Sequence, residues 1–259
     1  MSTRYHLIGV VAVLLTAQAA AAVGPRGVLI EARNLAYDAN YRNDQAGLRS
    51  AIEALQPLVD AAEVAPYAHY YLSWTYWALA GSQVQDKDTS GALESGKRAV
   101  EHARAGLAAR AADPEFHTVL VNALVVVGFL DGSQFKTVMA ELSAARKKAL
   151  ELGPDNPRVA LMDAGAIFNS PPEAGGSRER GLARWHEALQ LFDAEAKTKA
   201  ADPIAPSWGH ALAYGWVSGL YLRMTPPQKE NARTAAETAL RMRPDFWWVR
   251  AQVLPQLRE

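Results

Sequence analysis

Six histidines are the residues best able to carry acid–base or metal chemistry, at positions 6, 69, 102, 117, 186 and 210. None stands in a His-x-x-x-His or His-Glu-x-x-His spacing, so a metal site would need distant residues to meet by folding. His69 falls on a packing position, and His102, His117, His186 and His210 are isolated on predicted helices. Neither a Gly-x-Ser-x-Gly elbow nor a cysteine offers a nucleophile. Gly175-Gly176 followed by Ser177 and Arg178 opens a helix whose free amides suit an anion. Without a Gly-Lys-Ser/Thr ending it is no phosphate loop, and a turn that restarts a helix at a fixed angle is the simpler reading. Catalysis, a metal and a cofactor are therefore not expected. What remains is aromatic. At about 100° per residue, Tyr67, Tyr70, Trp74 and Trp77 lie within roughly 80° of one another on a helix, opposite His69, Leu72, Ser73 and Tyr76. Such a wall of rings suits an apolar or proline-containing segment, or a carbohydrate that stacks on tryptophan. The alternative is ordinary core, covered by the segment 28–62.

The elements that position these residues begin after a leader. Arg4, the apolar run 7–15 and the small residues around Ala17-Gln18-Ala19 and Ala20-Ala21-Ala22 have the order of an export signal over residues 1–22. The apolar run is short of the about 20 residues of a membrane span, so no membrane insertion is expected once the leader is removed. With no cysteine, the mature chain has neither disulfides nor a lipidated N-terminus, which points to a free periplasmic or secreted protein. Its 27 basic and 27 acidic residues balance, and no basic stripe speaks for nucleic acid.

From residue 23 to 259 the apolar spacing is helical almost throughout, with proline, glycine and Asn/Asp clusters between segments. That gives ten or eleven helices. One phrase recurs, an alanine followed five residues later by proline: Ala149 to Pro154, Ala239 to Pro244 and, more loosely, Ala109 to Pro114. A second pattern places a small residue and then an aromatic on alternate helices: His69, Leu72, Ser73, Tyr76; Leu161, Ala164, Gly165, Phe168; and Tyr214, Val217, Ser218, Tyr221. The small residue lets two helices approach and the aromatic fills the gap beside it. Ala232, Ala236 and Ala239 supply the small residues of a partner helix.

On these residues the chain resembles the tetratricopeptide-repeat (TPR) superfamily, and specifically exported bacterial members with enlarged repeats. Repeat distances are irregular, 40 residues from Ala109 to Ala149 and 51 from Ala188 to Ala239, against about 34 in a standard repeat. The stretch from Asn156-Pro157-Arg158 through Pro171-Pro172 and Gly175-Gly176 to Trp185 is similar to periplasmic TPR proteins with a Pro and Gly-Gly loop inside one hairpin. The resemblance implies an all-α, right-handed superhelix of about five antiparallel hairpins, closed by a C-terminal capping helix from Pro244 in which one of Trp247 and Trp248 seals the last hairpin. It further implies that Tyr67, Tyr70, Trp74 and Trp77 face the concave groove, joined by Val119, Asn122, Met162, Asn169 and Arg223. The function implied is a non-catalytic scaffold that binds a protein or peptide partner of the cell envelope. The alternative is a small-solute-binding accessory, as TPR components of some transporters are; a closed pocket of about 300–1,000 Å³ would favour it. The oligomeric state is not read from the sequence.

Overall fold

The computed structural model describes residues 5–198 and 202–258, with side chains from Gly24 onward. The leader expected over residues 1–22 lies outside the described side chains. Ten α-helices follow in order: α1 (Tyr5–Arg42), α2 (Gln45–Leu55), α3 (Ala65–Gln85), α4 (Thr89–Ala109), α5 (Pro114–Leu130), α6 (Phe135–Leu152), α7 (Pro157–Asn169), α8 (Arg178–Glu195), α9 (His210–Leu222) and α10 (Lys229–Met242). No strand occurs among the described residues. α1 is broken at Gly24 (φ 68°, ψ 164°), and Pro25 then opens the half that packs in the fold.

Helix starts follow the local chemistry of the sequence. Asp44, Asp88, Asp113, Asn156 and Ser177 each accept a hydrogen bond from a backbone amide in the first turn of the helix they precede, and Pro114 and Pro157 occupy positions where no amide is needed. Successive helices pair as α1/α2, α3/α4, α5/α6, α7/α8 and α9/α10, five hairpins in an all-α solenoid. The small residues Ser73 and Ser218 on first helices and Ala232, Ala236 and Ala239 on α10 are fully buried, whereas Gly165 on α7 is half-buried, and a Cβ there would stand 3.9 Å from the Trp185 ring. Among the described residues no single helix is long and apolar enough to cross a membrane.

The C-terminal segment is a helical turn, Val249–Val253 wound as a π-helix and then Pro255–Leu257, rather than a full helix. Its seal is also different from the expectation. Phe246 is the buried residue, packed on Gly215 of α9, while Trp247 and Trp248 are both half-buried. Gly215 has no Cβ to hold the Phe246 ring away, so the smaller ring goes deepest.

The first hairpin meets the last. Arg243 pairs with Asp38 of α1 at 2.8 Å, its guanidinium lies 4.1 Å over the Tyr41 ring, and Tyr41 packs edge-on against Phe246. Side chains thus join the two ends of the array directly.

Candidate concave site

The wall is built on α3, whose closely spaced ring-bearing residues between Tyr67 and Trp77 place aromatics on both faces. Of the four residues expected to line a groove, Tyr70 and Trp74 are 0% and 1% exposed. These two are core in the structure, and the reading of all four as an open groove is corrected accordingly. Two covers account for it. From one side α1 lays Tyr37 edge-on against Trp74, with ring centroids 4.8 Å apart. From the other, the connection between α8 and α9 folds inward over the wall.

That connection, 202–209, is tied down at five of its eight residues. Arg26 pairs with Asp202 at 2.6 Å, Arg33 donates to the carbonyls of Pro203 and Ala205, and the Tyr71 hydroxyl donates to that of Ile204 at 2.7 Å. Ile204 and Trp208 are buried. The Trp208 ring lies 6.0 Å from Trp74 and 6.4 Å from Trp77, and its Nε1 donates to the Tyr70 hydroxyl at 2.7 Å. Tyr70 in turn donates to Glu115 Oε2 at 3.1 Å. Glu115 also accepts from Arg158 Nε at 2.6 Å and from Asn156 Nδ2.

Arg158, 3% exposed, is the centre of this network. Besides Glu115 it holds both carboxylate oxygens of Glu195 and donates to the Trp208 carbonyl at 2.9 Å. Burial alone would lower its pKa, but the Glu115 and Glu195 carboxylates outweigh it and hold the guanidinium well above its ordinary value. Burial, reinforced by Glu115, pushes the Tyr70 phenol well up, so Tyr70 stays a neutral donor. The Tyr71 phenol is pushed up to about 12, mainly by burial.

The other predicted residues scatter. Tyr67 is half-buried and fixed by Arg110, which donates to its hydroxyl at 2.9 Å and lies over its ring. Trp77 is half-buried at the edge of the wall, 5.9 Å from Trp216 of α9. Arg223 is exposed, donating to Asn169 Oδ1 and lying over Phe168, which links α9 to α7 at a distance in the fold from α3. Asn122 is half-buried on α5, and among the described residues no side-chain hydrogen bond joins it to the aromatic wall. Of the four rings expected together, Tyr67 and Trp77 are half-buried while Tyr70 and Trp74 are buried. Trp208, Trp216, Tyr37 and Arg158 were not read as part of that set. The available signal for Trp208 was its setting, a large ring together with Ile204 in a proline-rich connection that water would otherwise surround.

Cavities open beside the wall. One of about 300 Å³ is lined by Tyr37, Trp74, Trp208, His210 and Arg243 among others. The second, about 270 Å³, opens between Trp77 and Gly81 of α3, Trp216 of α9 and Trp248 of the C-terminal segment.

The histidines are not all isolated. His69 and His102 face each other across the α3/α4 hairpin with Nδ1 atoms 3.1 Å apart, because antiparallel packing brings positions 33 residues apart to one level. His210 bonds Asp193 at 2.8 Å and His186 bonds the Tyr221 hydroxyl. Among the described residues no three His, Asp or Glu side chains gather as metal ligands would. The Gly175-Gly176 turn has Gly175 left-handed (φ 81°), and the Ser177 side chain takes the Arg180 amide of α8.

No family model and no curated protein matches the sequence. Among solved structures, the chain is similar to a thermophilic TPR protein of Thermus thermophilus, with a TM-score of 0.52 and 18% identity over 83% of this chain and 92% of that one. It is also similar to the HusA haemophore of Porphyromonas gingivalis, with a TM-score of 0.53 and 20% identity over 71% and 86%. At these identities the likeness is one of fold. The fold is the TPR-like α-solenoid.

Proposed function

We propose that this chain is an exported, non-catalytic scaffold of the cell envelope that takes a protein or peptide partner at the mouth of its concave face, around Trp77 and Trp216. The observation that carries this reading is the manner in which the wall already holds its own segment 202–209. Side chains read backbone carbonyls while rings take up Ile204 and Trp208, which is chemistry that would also suit an apolar, proline-containing segment of another chain. Export rests on the leader pattern of Arg4, the apolar run 7–15 and the small residues that follow it.

A pull-down from the native envelope fraction tests it, comparing the mature chain with Trp77→Ala, which truncates a half-exposed ring and leaves Trp74 in the core. A protein retained by the wild type and lost by a variant of unchanged helicity supports the reading. Equal capture by both removes the mouth from it, and the absence of any specific capture counts against the scaffold itself. Fractionation of cells, with N-terminal sequencing of the mature chain, tests the location.

A second reading, a small-solute accessory, is favoured by the two cavities of about 300 and 270 Å³ and by the likeness to a haemophore.

A further inference from the structure

Among the described residues the most exposed large apolar side chains stand together at the tip of the α5/α6 hairpin: Phe129 at 82%, Phe135 at 54% and Val125 at 52%, with Met139 exposed beside them. They form one patch. Gly128 and Val138 face each other across the hairpin, since a Cβ on Gly128 would stand 3.2 Å from Val138 Cγ1. At about 100° per residue, Val125 and Phe129 lie roughly 60° and 100° round α5 from Gly128, and Phe135 and Met139 lie at the same angles round α6 from Val138. The two helices run antiparallel, so both rotations lead to the same side. About two turns further along that side of α6, Arg146 pairs with Asp163 of α7. α7 is shorter than α5, 13 residues against 17, and the four side chains nearest the tip stay exposed.

A single exposed apolar residue needs no explanation, but four in one patch mark a contact surface. This one is convex, the end of a hairpin, and lacks the walls that hold an extended peptide. Its rim is basic. Between residues 125 and 140 the sole acid is Asp131, which accepts from the Ser133 amide and hydroxyl and pairs with Lys97 at 4.0 Å. Lys97 and Lys136 are both exposed there. A second copy of the chain would set this rim against its own like charges, whereas anionic lipid complements it. Composition points the same way: α5 and the run Gly132–Leu152 together are as apolar as a membrane segment, but they turn through 114°. We propose that the α5/α6 tip docks on the surface of an anionic phospholipid bilayer, with Phe129 and Phe135 entering the headgroup boundary and Lys97 and Lys136 facing the phosphates. The contact is peripheral and not a span. It needs neither the protein partner nor the cavities.

Flotation of the mature chain with mixed phosphatidylethanolamine and phosphatidylglycerol vesicles tests this, with phosphatidylcholine vesicles as the uncharged counterpart. The leader is removed because its own apolar run would bind lipid. The chain is expected to float with the anionic vesicles. Phe129→Ser/Phe135→Ser takes away two exposed rings and leaves the core intact, so melting should hold while vesicle affinity falls about tenfold or more. Phe129→Trp should keep the affinity, and its emission should move to the blue when vesicles are added. Lys136→Gln should weaken binding to the anionic vesicles about fivefold and leave binding to phosphatidylcholine unchanged. Flotation with neither kind of vesicle overturns the proposal, as does a double serine variant that floats like the wild type. A chain that ignores vesicles but self-associates in analytical ultracentrifugation, and loses that association in the double variant, assigns the patch to a second copy instead of lipid. The pull-down answers separately for the protein partner.

Discussion

Arg158 shows how much of this molecule hangs on one side chain. It is buried against two carboxylates and a carbonyl, and it joins α7 to α5, α8 and the inward segment at once. Arg158→Met would leave Glu115 buried without its cation, and a cost of about 3–5 kcal/mol is expected in urea unfolding. Adding Glu115→Gln to the same variant should recover part of that loss, because the uncompensated charge is then gone. His102 carries a different expectation. Burial first, and then the facing His69, hold its pKa down to about 4, with Glu101 opposing the shift and Arg98 adding to it. His69 is lowered in the same direction, chiefly by burial, against Asp60 and Glu101. An unfolded histidine takes up its proton near 6.5. The unfolded chain therefore binds more protons between about pH 6.5 and 4, and stability is full above that window and falls as pH drops through it. Melting temperatures measured from pH 7.5 to 4.5 should show this slope, and His102→Gln should flatten it.

At the scale of elements, the segment between α8 and α9 decides whether α3 has an open face. It turns into α9 at Gly209, where φ is 116° and a Cβ would stand 2.4 Å from Phe192 Cζ. Gly209→Ala combines a strained backbone with that overlap. A loss of about 1–3 kcal/mol is expected from the backbone conformation alone. The same variant should shift tryptophan emission to the red as Trp208 leaves its place between Tyr70 and Trp74; unchanged emission together with unchanged melting would show that the segment does not depend on this turn. The α3/α4 hairpin makes the complementary point. Its frame of His69, Leu72, Ser73 and Tyr76 predicts close helix packing, and that packing is what sets His69 against His102.

For the molecule as a whole, the decisive feature is closure. In a linear repeat array each hairpin answers mainly to its neighbours. Here Arg243, Asp38, Tyr41 and Phe246 join the two ends directly. Phe246→Ala should cost about 3–5 kcal/mol as a core truncation. Hydrogen exchange should then lose protection in α1 as well as in α9 and α10, whereas loss confined to the last hairpin would show that the ends are energetically separate. Hairpin number, turn positions and the small-residue seams were legible in the sequence by itself. Each is local: Asn156-Pro157 caps and starts a helix wherever it lies, and Ala232, Ala236 and Ala239 share a face through helical period alone. Whether Trp74 is groove or core was not legible, because that depends on which distant surface arrives to cover it. The cover comes from Tyr37 and from Trp208, 37 residues before and 134 after it, and helical periodicity carries no information across such separations. Tertiary structure alone decided that Tyr70 and Trp74 are buried, that Trp77, Trp216 and Trp248 share a cavity, and that the array closes, since burial of large rings is a property of the assembled surfaces and not of the helix that bears them.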